Sequence, residues 1–331
     1  MAALAIVILN WNGQEMLERF LPSVLRNSTG ADVYVADNGS TDNSLDLLRT
    51  RFPSAKVIEL GNNYGFAEGY NQALSRLRDY TYYLLLNSDV EVKSGWLTAM
   101  MNYMDEHLEV GACQPKLLCQ WNPTHFEYAG AAGGYIDALG YPYCRGRIFN
   151  TVEKDEGQYD TVAEVHWASG AALLVRCEDY WNVGGLDGSF FAHQEEIDLC
   201  WRLWRSGKKV VCVPQSVVYH LGGGTLPKGN PRKTYLNFRN NIWLLKKNLP
   251  DEDYRRVMRW RLLLDAVASL QMLLTGQFRS ACAVWRARRD ARKCCKQYQR
   301  FGASEYSIKL RPQSLLWSYY IKGIRKYSDL F

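Results

Sequence analysis

The 331-residue chain is long enough for one large α/β domain with an appendage, or for two domains, and it can bury a sizeable core. Its nine cysteines (113, 119, 144, 177, 200, 212, 282, 294 and 295) are odd in number and contain no Cys-x-x-Cys pair, which disfavours a disulfide framework and a thiolate zinc site and suits reduced thiols in a cytosol. The net charge of +6 conceals a division: residues 1–227 hold 17 Lys and Arg against 27 Asp and Glu, net −10, while residues 228–331 hold 23 against 7, net +16.

Leu4–Leu9 is a short β-type run with no basic stretch before it, so no signal peptide is expected. Asn10-Trp11-Asn12-Gly13 follows, then a helical pattern over Gln14–Arg26. The theme repeats with Asp32–Ala36, the loop Asp37-Asn38-Gly39-Ser40-Thr41-Asp42 and a helix over Asn43–Arg51. It repeats again with Val57–Leu60, the loop Gly61-Asn62-Asn63-Tyr64-Gly65-Phe66 and a helix over Ala67–Arg78. Tyr82–Leu86 is apolar throughout, too short for a helix and without alternation, which predicts a central strand buried on both faces. Asn87-Ser88-Asp89 ends it. These residues suit a turn and helix cap, and Asp89 equally suits a carboxylate at the ligand-binding edge of an open α/β sheet. Four strand, polar loop, helix units in series predict a parallel sheet with its polar loops on one edge, which brings Asn10, Asp37, Asn62 and Asp89 around one cleft. The first strand is not followed by Gly-x-Gly-x-x-Gly, and no Gly-Lys-Ser/Thr occurs, which disfavours Rossmann dinucleotide binding and P-loop hydrolysis.

Val110–Leu118 reads as a further strand, whereas Cys119–Glu164 is rich in Gly, Tyr and Pro and has no long periodic segment. His166–Arg176 returns to a strand, and a helix follows with Glu195, Glu196 and Asp198 in its first turns, where acids also complement the helix dipole. Lys209–Val213 and Val217–His220 read as two short strands, the second leading into Gly222-Gly223-Gly224. Lys233–Lys246 is helical in period.

With these pieces in order, the sequence resembles the inverting glycosyltransferases of family 2, with a GT-A fold, and in particular the bacterial rhamnosyltransferase-type members of surface-polysaccharide pathways. The motifs are Val7-Ile8-Leu9-Asn10-Trp11-Asn12, Asp37–Asp42, Asn62-Asn63-Tyr64-Gly65-Phe66-Ala67-Glu68-Gly69, Asn87-Ser88-Asp89, Ser169-Gly170-Ala171-Ala172-Leu173-Leu174 and Glu195–Arg202, spread from about Leu4 to about Lys247. The resemblance implies that Asp37 binds the base or ribose of a nucleoside-diphosphate sugar, with Asn10, Asn62 and Gly65 lining the nucleotide pocket. It implies that Asp89 is the retained last acid of an Asp-x-Asp motif, with Asn87 in the first place, and binds Mg²⁺ or Mn²⁺ together with His220. Glu196 is the implied base, with Glu195 as the alternative because the family commonly has Glu-Asp here; Asp198 secures the helix or contacts the sugar. Arg239 is implied to lie near the donor phosphates. The acceptor class implied is a saccharide or a lipid-linked sugar. A nucleotidyltransferase, or a catalytically silent scaffold of a polysaccharide assembly complex, are the other readings.

The expected architecture is a mixed, mostly parallel α/β sheet in a catalytic domain over 1–247, with 1–118 as nucleotide half and 119–247 as acceptor half, and a basic amphipathic helical tail over 248–331. In that tail, Arg255, Arg256, Arg259 and Arg261 interleave with Val257, Met258, Trp260 and Leu262–Leu264, and Phe278–Tyr298 repeats the mixture. Such helices suit the interface of an anionic membrane, so the chain is expected to be cytoplasmic and peripheral on the inner face of the plasma membrane. The longest apolar stretch, Leu262–Leu274, is broken by Asp265 and Gln271 and falls short of the ~20 residues that span a bilayer. Nucleic-acid binding is not expected, since no recognisable module accompanies the charge.

Overall fold

The computed structural model describes residues 3–222, 230–294 and 310–330. The chain opens with β1 (Leu4–Asn10), α1 (Gln14–Asn27), β2 (Asp32–Asp37), α2 (Ser44–Arg51), β3 (Lys56–Glu59), α3 (Gly65–Leu74) and β4 (Tyr82–Leu86). These strands pair in parallel, as expected, and take the order β4-β1-β2-β3. Along β1, Leu4, Ile6 and Ile8 face one core with Leu17, Leu21 and Val24 of α1, while Ala5 and Val7 face the other with Ala67, Tyr70 and Leu74 of α3. A strand clothed on both faces needs no alternation of polar residues, which is why β4 is buried at all five positions.

The second half interleaves with the first. β5 (Val90–Val92), α4 (Thr98–Glu106), β6 (Val110–Cys119) and β7 (Asn122–Phe126) lead into a separate four-stranded antiparallel sheet, β8 (Gly134–Ile136), β9 (Pro142–Cys144), β10 (Arg147–Ile148) and β11 (Thr151–Val152). Strands of two or three residues are too short to leave a periodic signature, so the stretch read as irregular is in fact hairpinned. After β12 (Ala163–Glu164), β13 (Ala172–Arg176) enters antiparallel between β4 and β6. Then come α5 (Cys177–Asn182), α6 (Glu195–Arg205) and β14 (Lys209–His220). β14 is one strand and not the two expected: it stays parallel to β6 on both sides of an irregularity between Val213 and Val217, where Pro214 has no N–H to donate.

The chain closes with α7 (Pro231–Asn248), α8 (Asp251–Leu274) and α9 (Phe278–Cys294). Among the described residues no helix is long and apolar enough to cross a membrane. Residues 310–330 depart from the expected helical tail, forming only two single turns, Trp317–Ile321 and Tyr327–Leu330, and folding back onto the small sheet. There Tyr327 stacks on Tyr135 with centroids 5.5 Å apart, and the Leu315 amide donates to Asp137 at 2.8 Å. Val257, Ala291, Leu315 and Leu330 share a core with Trp201 and Trp243. Residues 295–298 of the second basic run, and Gly223 and Gly224, lie outside the described residues.

Candidate active site

The parallel register puts the carboxyl ends of β1, β2 and β3 side by side, Asn10 beside Asp37 and Asp37 beside Glu59. The Asn10 amide donates to Asp37 at 3.2 Å and to the Ser40 hydroxyl at 3.1 Å, and the second Asp37 oxygen accepts the Ser40 N–H at 3.0 Å. Both residues are buried, and Asn10 Oδ1 has no hydrogen-bond partner. Asn38 extends the lattice to the next loop by donating to Gly65 O at 3.0 Å and accepting from Tyr64 N. Asn62 is exposed, and its backbone lies so close to Gly39 that a Cβ there would sit 2.8 Å away. Gly65 has φ +78°, and a Cβ on it would meet the Phe191 ring at 2.6 Å. Only glycine permits that contact, through which Phe66 N and Ala67 N donate to Phe191 O at 2.7 and 3.3 Å.

Asp89 follows β4, and β14 runs antiparallel to β5 so that His220 pairs with Val90. His220 Nε2 is 3.1 Å from Asp89 Oδ1, and Asn87 Nδ2 lies 3.4 Å from the same nitrogen. On the other side of the ring, Nδ1 is 3.5 Å from Glu127 Oε1. All three ionisable groups are buried. Burial opposes charge on the imidazole, but Glu127 and Asp89 together push its pKa up to about 10; burial likewise opposes ionisation of Asp89, whose hydrogen bond with His220 holds it below the ordinary value. Glu127 had no signal in the sequence, because it sits in the stretch whose short strands could not be read. Among the described residues no group of three His, Cys, Asp or Glu side chains is arranged to hold a metal.

Glu195 and Glu196 open α6, and each has an Oε2 that is enclosed without a hydrogen-bond partner. Burial raises the Glu196 pKa to about 7, and burial with the neighbouring Glu196 charge raises Glu195 well above a normal glutamate. A Cβ on Gly170 would stand 3.6 Å from Phe66 and 3.7 Å from Glu196 Cβ, and the next residue, Ala171, accepts the Asn87 N–H at 3.0 Å. Thus Glu196, the first turn of α3 and the end of β4 converge just before β13. The buried phenol of Tyr70, which donates to Leu86 O at 3.1 Å, is within electrostatic reach of both Glu195 and Asp89. Asp198 faces elsewhere: wholly buried, it binds Arg202 and Lys247 at 2.8 Å each and Asn248 at 2.9 Å, and secures the helix.

The loop entering α6 is strained, with Phe191, His193 and Gln194 at φ 65°, 72° and 71°. Its carbonyls are gripped by α7. The Asn240 amide donates to the carbonyls of Phe190, Ala192 and His193 at 3.1, 2.8 and 2.7 Å, and Arg239 donates to Ser189 and Phe190 at 3.2 and 2.9 Å while stacking on Trp243. Arg239, expected beside the donor phosphates, therefore has its guanidinium on this loop. Asn241 donates to Gln194 at 3.1 Å and accepts from Arg261 at 2.5 Å. A run of Arg-Asn-Asn on a helix that otherwise buries leucines was the sequence's one hint of this brace.

A family model described as glycosyl transferase family 2 matches residues 5–184, more than half of the 331. The chain belongs to that family. It is a glycosyltransferase, and the expected fold and family are both borne out. Relatives include the N-acetylglucosaminyl-diphospho-decaprenol L-rhamnosyltransferase of Mycobacterium tuberculosis H37Rv, 28% identical over 66% of this chain and 75% of that one. Rhamnosyltransferase WbbL of Escherichia coli K12 is 24% identical over 65% of this chain and 82% of its own. Among solved structures, GalNAc-T7 with UDP, GalNAc and Mn²⁺ superposes with a TM-score of 0.59 at 16% identity, covering 77% of this glycosyltransferase, which spans only 49% of that chain. The mannosyltransferase PcManGT from Pyrobaculum calidifontis with GDP-Man and Mn²⁺ gives 0.53 at 13% identity, covering 89% and 78%. At these identities the structural likeness speaks for the GT-A fold.

Proposed function

We propose that the cleft transfers a sugar with inversion from a nucleoside-diphosphate sugar, of the dTDP-rhamnose or UDP-sugar type, to a saccharide or lipid-linked acceptor in surface-polysaccharide synthesis. The observation that carries this reading is Glu196: an enclosed carboxylate with a pKa near 7, an unused oxygen and a place beside the end of β4. A base in that state takes a proton from an acceptor hydroxyl near neutral pH as the hydroxyl attacks the anomeric carbon and the bond to the diphosphate breaks. Asn10, Asp37, Asn62 and Gly65 form the nucleotide side, where the side-chain Oδ1 of Asn10 is left without a hydrogen-bond partner.

Asp89 and His220 offer one carboxylate and, once a cation displaces the proton that Asp89 and Glu127 hold on the ring, one imidazole, a donor set that fits Mg²⁺ or Mn²⁺ when phosphate oxygens and water complete it. Glu127 behind His220 stands where a carboxylate orients a metal-binding imidazole. A bound cation supplies charge neutralisation on the departing nucleoside diphosphate. The relatives named for rhamnosyl transfer, one with a decaprenol-linked acceptor, support the donor and acceptor classes. Residues 1–247 are the catalytic part, and 248–331 place it peripherally on the inner face of the plasma membrane.

The test is a panel of nucleotide sugars with Mn²⁺ or Mg²⁺. Asp89→Ala abolishes the metal-dependent rise in melting temperature given by the matching nucleoside diphosphate, whereas Glu196→Gln keeps that rise and loses transfer. Full activity in Glu196→Gln with a dead Glu195→Gln reassigns the base to Glu195.

A further inference from the structure

Away from the cleft, α7, α8 and α9 border an open cavity of about 830 Å³ whose wall carries Arg255, Arg256 and Arg259 of α8 and Arg288 and Arg292 of α9. Its one acid is Glu252. Arg256 is paired with Asp253 at 2.5 Å and Arg288 with Asp265, but among the described residues Arg255, Arg259 and Arg292 have no carboxylate partner. Arg288 is only 5% exposed, and its Nε is enclosed with no hydrogen-bond partner. A buried guanidinium nitrogen left open on a wall where three of the five arginines lack a carboxylate partner calls for an anion. The rest of the wall includes Ile242, Met258 and Leu262, so the anion is one attached to an apolar body.

Next to the cavity α8 shows what that body belongs to. Trp260, Leu263, Val267, Leu270 and Leu274 are 57, 58, 58, 55 and 80% exposed, and their spacing of three and four residues puts them on one face. The opposite face, Val257, Arg261, Asp265 and Ser269, is the buried one. From 266 to 289, across the turn between α8 and α9, the sequence contains no Asp or Glu and four arginines. An apolar face continuous with a basic cavity and free of acids complements an anionic bilayer surface.

We propose that this cavity takes the phosphate group of an anionic membrane lipid while the exposed face of α8 lies in the bilayer interface. The inference deepens the peripheral placement proposed above but not the chemistry of transfer, and it is read without turnover.

The experiment is flotation of the full chain with phosphatidylcholine vesicles, with and without phosphatidylglycerol. Wild type binds the phosphatidylglycerol vesicles, and R259Q/R292Q, both at exposed positions, binds them roughly 30-fold more weakly with an unchanged melting temperature. R49Q/R51Q on α2 removes the same charge elsewhere and binds like wild type. L270D/L274D loses vesicle binding with the cavity intact. Equal binding of wild type to the two vesicle types, or full binding by R259Q/R292Q, overturns the proposal. So does a wild type that ignores vesicles but is stabilised by inorganic phosphate through Arg259 and Arg292, which makes the site one for soluble anions, or a loss of self-association as the only effect of L270D/L274D. Donor turnover with a soluble acceptor is measured in parallel: its absence with vesicle binding intact sinks the transfer reading alone.

Discussion

A carboxylate works as a base only when ionised, and burial raises the pKa of Glu196, the base proposed above, to about 7. Transfer is therefore expected to rise with pH through about 7, and Glu196→Gln to lower the rate by roughly 10²–10⁴-fold, read from initial rates across pH. Asp198, two residues on, is the opposite case. Burial opposes its ionisation, but Arg202 and Lys247 hold its folded pKa below the ordinary value. The stability it contributes is present above the unfolded carboxylate pKa and is lost as pH falls through the folded one. Asp198→Asn leaves two buried cations short of a counter-charge, and urea melts at neutral pH should show a loss of about 3–5 kcal/mol. At this scale the sequence was informative where acids or glycines stand at strand and helix ends, as with Asp37, Asp89, Gly65 and the glutamate pair. It was silent on Glu127, because what makes that residue special is the antiparallel return of β14, which no local pattern encodes.

The elements that carry the site differ in how readable they were. β1 to β4 announced themselves because each is an apolar run closed by a polar loop. The small sheet β8–β11 did not, since its strands are only two or three residues long and part of its packing, at Asp137 and Tyr135, comes from the distant residues 310–330. The loop before α6 is the most consequential of the unread elements. Three left-handed non-glycine residues there cost about 1–3 kcal/mol each, and Asn240 offsets part of that by taking three carbonyls at once. Asn240→Ala is expected to lower kcat well beyond any change in donor KM, with a melting-point loss of a few degrees; unchanged kcat would show that the loop holds its shape without α7.

Over the whole molecule, the +16 of residues 228–331 overstates the charge offered to a surface. Arg261 and Arg288 are buried on Asp265 and belong to the interior. Composition cannot separate such arginines from exposed ones; the burial of one helix face does. The cysteines follow the same logic. Cys113, Cys119, Cys144, Cys177, Cys200 and Cys212 are buried and unpaired, and burial pushes the Cys200 and Cys212 thiols up to about 12. Of the seven described, Cys282 alone is exposed, so a thiol reagent should label it ahead of the six buried ones in the folded protein, as mass mapping of labelled peptides would report. Rapid labelling of Cys200 would contradict the packing around α6.

The contact between Gly65 and Phe191 carries one more consequence. Phe66 and Ala67, in the first turn of α3, and the residues leading to Glu196 are tied to a single carbonyl, that of Phe191. If the proposed roles hold, any exchange at 65–67 that reshapes the nucleotide side for another sugar also shifts the segment that positions Glu196. On that reading selectivity and turnover are one trait, and engineering a new donor calls for compensating changes across that carbonyl.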